Sequence, residues 1–128
     1  MQNFTVYHVS EEGKHALPFF NDTKLKEQIE VFAKEADKHY EAVAKIDIGV
    51  DEKEENIGNV LNFVFRATNT VDFVWHGEKK AKGLTPVFSN PDGCRSTSVG
   101  DLIVNDDTGK AWYVVSFGFE PLEVELCL

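Results

Sequence analysis

Arg95, Ser96, Thr97 and Ser98 stand together just ahead of Gly100 and Asp101. A guanidinium beside several hydroxyls, ahead of a turn, can hold an anion, because hydroxyls and successive backbone N–H groups then face one concavity. The same residues can instead build a plain turn. Ser and Thr side chains would satisfy nearby backbone groups, Gly100 would supply a positive φ, and Asp101 would close the loop. The turn is the preferred reading. Upstream, Arg66, Thr68 and Asn69 offer a second polar group. If the two arginines converge, Arg66, Thr68, Asn69, Arg95, Ser96 and Ser98 would line a pocket for a small ligand or nucleotide.

Other chemistries find less in the sequence. A nucleophile elbow needs Gly-x-Ser-x-Gly, and position 96 is Ser where the first Gly should stand. His8, His15, His39, His76 and Cys94 invite a metal, but zinc ligands usually come in close pairs that one turn or helix face presents together. None of these residues is so paired. Asp51, Glu52, Glu54 and Glu55 do not follow the ligand spacing of a calcium loop and read as a solvated run. No phosphate-binding glycine loop is present. We therefore expect no catalytic residue, no metal and no cofactor.

Aromatic residues make the alternative case, for a protein partner. Trp75, Trp112, Phe117 and Phe119 are the candidates. In the segment from Ala111 to Phe117, alternation puts Trp112, Val114 and Ser116 on one face and Tyr113, Val115 and Phe117 on the other. One helix can shield only one of these faces. The other must meet a covering loop or stay open as a docking surface for a partner protein or a second copy.

The chain has 128 residues, one domain's worth, with 13 basic and 22 acidic side chains and a net charge of −9. That field repels phosphate backbones and anionic lipid, and the densest basic run, Lys79, Lys80 and Lys82, is short. Nucleic acid is thus not the expected partner. No apolar run is long enough for a membrane span, and the first residues lack a signal peptide's basic and apolar regions. The expectation is the cytoplasm, with Cys94 and Cys127 as free thiols.

Several elements must position these groups. Asn3–Val9 alternates and is predicted as a strand. Leu25, Ile29, Phe32, Ala36, Tyr40 and Val43 recur at steps of three and four, which predicts a helix over 23–44. Ile46–Val50 reads as a short strand, and Asn59–Ala67 as a longer one with Leu61, Phe63, Phe65 and Ala67 on one face. The stretch from 68 to 97 is irregular. Asp101–Val104 and Ala111–Phe117 form a hairpin around the turn 105–110. Gly118 then interrupts, and an edge strand runs from Phe119 to Cys127. The sum is an α+β domain spanning 1–128: a small, mostly antiparallel sheet with one long amphipathic helix on one face.

Arg95-Ser96-Thr97-Ser98-Val99-Gly100-Asp101, followed by Lys110-Ala111-Trp112-Tyr113-Val114-Val115-Ser116-Phe117-Gly118-Phe119, resembles the C-terminal hairpin signature of YodL-like domains. These are small accessory proteins of bacteriophages, plasmids and integrative elements. Phe65-Arg66-Ala67-Thr68-Asn69-Thr70 is similar to the segment that precedes it there. The resemblance carries no activity with it. It implies an accessory protein with a host-takeover or defence-inhibiting role exerted by binding. The leading expectation is a non-catalytic protein-binding module. The second is a small-ligand protein or enzyme with a pocket around Arg66 and Arg95.

Overall fold

The computed structural model describes residues 2–18, 21–48, 57–69, 74–116 and 118–126. Strand β1 (Gln2–Val9) runs through the middle of a six-stranded sheet, with β2 (Tyr40–Ile48) on one side and β4 (Leu102–Asn105) on the other. Outside these lie β3 (Leu84–Pro86), beside β2, then β5 (Ala111–Val115) and β6 (Gly118–Pro121) beyond β4. The order is β3-β2-β1-β4-β5-β6, and every pairing is antiparallel. The α+β class and the antiparallel sheet are as expected. Each edge strand carries a proline, Pro86 or Pro121, which lacks the N–H that a further strand would need.

The helices differ from expectation. The predicted helix over 23–44 divides. Helix α1 (Glu11–His15) precedes it, α2 (Asp22–Ala33) is its first half, and a single turn, α3 (Ala36–His39), leads directly into β2. Asn21 caps α2 by accepting from the Lys24 N–H at 3.0 Å. Leu25, Ile29, Phe32 and Ala36 are buried, so the apolar stripe is real up to that point. Tyr40 and Val43 extend the same spacing by coincidence. They belong to a strand in which Val43 has no counterpart on β1, because Val6 pairs with Ala44 and Tyr7 with Ala42. That bulge breaks the period-two pattern that would have marked β2.

The second correction is larger. Asn59–Ala67, predicted as a strand, is the body of helix α4 (Ile57–Ala67). Its apolar residues satisfy both periods at once. Packing chooses the helical one, burying Val60, Leu61, Val64 and Ala67 and leaving Phe63 exposed. The run from 119 also stops early, since β6 ends at Pro121. The charge run 51–55 lies outside the described residues.

There are consequently helices on both faces of the sheet. One apolar cluster joins Val60, Leu61, Val64 and Ala67 of α4 to Phe4, Val6, Val43, Ala44, Ile46 and Ile103. The other joins Leu25, Ile29 and Phe32 of α2 to Val9, Tyr40, Leu102 and Tyr113. Leu102 and Ile103 are chain neighbours on opposite faces, and each is fully buried. Among the described residues, no helix is long and apolar enough to cross a membrane.

Candidate functional site

Arg95 and Asp101 form the centre of a polar clasp that ties the 88–101 segment to the end of β1. The Asp101 carboxylate is fully buried and accepts four N–H donors. Two come from Arg95, at 2.6 and 2.8 Å, and the others are the Ser98 N–H at 2.7 Å and the Val9 N–H at 2.9 Å. Arg95 also donates to the carbonyls of Val9 and Ser96 and to Ser98 Oγ. Burial works against the guanidinium's charge. The hydrogen bonds and charge of Asp101 outweigh it and hold the Arg95 pKa above its ordinary value. Gly100 completes the turn at φ +94°, where a Cβ would clash with Leu17 Cδ1.

Beside the clasp sits His8, which alternation on β1 turns to the same face as Phe4 and Val6. Its Nε2 lies 2.9 Å from Thr97 Oγ1. Thr97 Oγ1 donates to Thr68 Oγ1 at 2.7 Å, and Thr68 donates in turn to the carbonyls of Val64 and Phe65 at the end of α4. With its own proton committed, Thr97 Oγ1 accepts from His8. The imidazole proton is therefore on Nε2 and the lone pair on Nδ1. Nδ1 faces the Cys94 sulfur at 3.4 Å. Asp101 Oδ2 is 3.8 Å from Nε2.

The pair rests uncharged. Burial, helped by Arg95 and Lys14 and opposed by Asp101 and Glu41, lowers the His8 pKa to about 4. Burial likewise raises the Cys94 thiol to about 11, with Glu41 and Asp101 adding to the rise and Arg95 opposing it. Resting Cys94 is thus a thiol hydrogen-bonded to a neutral base, unlike the thiolate–imidazolium pair of a fast cysteine enzyme.

Cys94, His8 and Arg95 line a cleft of about 340 Å³. Its other walls come from the α3–β2 junction (Lys38, His39, Tyr40, Glu41 and Val43) and from Phe88. Glu41 accepts from the Ser89 hydroxyl at 2.8 Å, which pins the 88–95 segment along β2. Apolar wall and polar groups thus meet in one concavity.

The polar residues singled out from sequence fall into three sets. Arg95 lines the cleft, although the clasp engages its guanidinium. Thr68, Asn69, Ser96 and Ser98 stand behind it as scaffold. Asn69 Nδ2 donates to the Thr97 carbonyl at 2.6 Å, and Ser98 Oγ accepts from Lys14 as well as Arg95. Arg66 is exposed on the last turn of α4 and does not line the cleft. The expected pocket joined both arginines; this cleft contains Arg95 and not Arg66.

The aromatic set is used in packing. Trp75 is buried and donates from Nε1 to the Arg95 carbonyl at 3.0 Å. Trp112 and Phe119 are half-buried against the α4 cluster, where Phe119 meets Phe65 edge to face at 6.0 Å. Phe117 lies outside the described residues. Sequence reasoning weighed His8 and Cys94 as metal ligands and missed them as a pair. They are 86 positions apart, and no spacing rule connects them. One signal was available: a histidine on the apolar face of a strand needs a buried polar partner. Among the described residues, no group of three or more His, Cys, Asp or Glu side chains could hold a metal ion. Comparisons with protein-family models, curated proteins and solved structures find no match.

Proposed function

We propose that this chain is a small-ligand-binding protein whose site is the cleft between the end of β1, the α3–β2 junction and the 88–95 segment. The observation that carries this reading is the cleft itself. Its volume of about 340 Å³ falls in the range of small-ligand pockets, and hydrogen bonds within the chain hold its walls. A ligand that suits it has an apolar part to lie on Tyr40, Val43 and Phe88. It also has polar groups that reach Lys38, His39 or Glu41 at the rim.

Protein docking on the hairpin is the competing proposal, and the packing withdraws its main support. The ribbon's two apolar faces have a helix each: Ile103 and Trp112 belong to the α4 cluster, and Leu102 and Tyr113 to the α2 cluster. The resemblance to accessory proteins of phages and mobile elements supplies a setting for either role.

A fragment screen followed by amide chemical shifts tests the reading. Binders should perturb His8, His39, Phe88 and Cys94, and a Lys38→Trp variant that fills the mouth should lose them. Shifts centred on Trp112 and Phe119, indifferent to Lys38→Trp, would return the hairpin to first place.

A further inference from the structure

We propose that Cys94 is a latent nucleophile of this cleft, with His8 as its general base, and that the class of ligand it accepts covalently is an activated acyl compound such as a thioester or activated ester. This deepens the ligand-binding reading and rests on it. The geometry supplies the parts. The thiol lines the cleft wall, a lone pair stands 3.4 Å from the sulfur, and the hydroxyl chain through Thr97 and Thr68 fixes the imidazole tautomer. Asp101 Oδ2, 3.8 Å from Nε2, faces the imidazolium that forms when the thiol gives up its proton.

The step balances without an added oxidant or reductant. The sulfur attacks the acyl carbon, and the S–H proton passes to His8 Nδ1. The Sγ–C bond forms, and the carbon's bond to its oxygen or sulfur leaving group breaks. The proton on Nδ1 then goes to that leaving group or to water. The product is Cys94 carrying the acyl group as a thioester. Cys94 and His8 touch the reacting atoms. Thr97 and Asp101 are positioning residues. Because the resting pair is neutral, the reaction is slow beside that of a thiolate enzyme.

The probe is p-nitrophenyl acetate, used on the full chain with Cys127→Ser so that one of its two cysteines remains. Nitrophenolate release and intact mass should report one acetyl group per chain, mapped to Cys94. The rate should be flat from about pH 5 to 9, because a base with a low pKa is already free to accept across that range. His8→Gln should slow it on the order of 100-fold. Thr97→Val should slow it about tenfold through loss of the tautomer anchor, and Thr97→Ser should restore it. Should His8→Gln fail to fold, the Thr97 pair and the pH profile of the parent chain still decide. Two results overturn the proposal: no acetyl group at Cys94, or a rate that climbs about tenfold per pH unit and ignores the Thr97 changes, as for an unassisted thiol. A fragment screen that fails while acylation follows His8 removes only the ligand-binding reading. Fragments in the cleft with unassisted acylation remove only the nucleophile.

Discussion

The run from Arg95 to Phe119 builds two regions by opposite means. Its first part, up to Asp101, is a polar clasp in which one buried carboxylate collects four N–H donors from three residues. Its second part, Leu102 onward, is an apolar ribbon held by packing on both faces, with α4 on one and α2 on the other. The clasp is directional. Remove one member and the others are left charged or unsatisfied in a dry place. The ribbon is non-directional. Remove a methyl group and the neighbours relax partway into the space. Chemistry is placed beside the clasp because only a directional network can hold a lone pair toward a sulfur. The ribbon gives the clasp a stiff base.

The largest effect is expected from Asp101→Ala, which strands Arg95 and two backbone donors. It should cost about 3–5 kcal/mol in urea unfolding and change little with added salt, since buried pairs are weakly screened. Ile103→Ala, in the fully buried ribbon, should cost about 2–5 kcal/mol while leaving the amide shifts of His8 and Cys94 in place. If Asp101→Ala is the milder of the two, the clasp is not what holds the 88–101 segment.

Acid comes next. The folded state holds the His8 pKa near 4, below its ordinary 6.5, so the unfolded chain takes a proton that the folded chain refuses. This contribution is fully present above pH 6.5, falls as pH drops toward 4, and is gone below that. The loss is about 3 kcal/mol. Unfolding followed against pH should show the slope between 6.5 and 4, and His8→Gln should flatten it. An unchanged slope would mean that His8 is solvated in the native state. The smallest effect is expected at Val31, exposed on α2, where Val31→Ser should alter stability by no more than about 0.5 kcal/mol. A larger loss would show that the α2 surface is covered in solution.

Much of the sheet was legible in the sequence. β1, β4, the 105–110 turn and β5 follow alternation and turn chemistry, which act between near neighbours. The helices were only half legible. Residues 59–67 are apolar at both a two-residue and a helical spacing, so no local rule separates the two, and burial of Val60, Leu61, Val64 and Ala67 against the sheet decides. The long stripe from Leu25 to Val43 ran past its true end because the bulge at Val43 disguised a strand as a helix face. At the site, the preferred turn reading of Arg95 to Asp101 accords with the clasp, and the exposed place of Arg66 separates it from the cleft.

Composition and local pattern by themselves determined an acidic α+β chain with an antiparallel hairpin near its end, because charge count, alternation and turn residues are properties of short stretches. The tertiary structure alone decided that two helices sheathe the sheet and that His8 meets Cys94. Both depend on which distant segments exclude water from each other, and a linear pattern does not specify that. The neutral state of the pair, the direction of its lone pair and the cleft that exposes it follow from the same long-range burial.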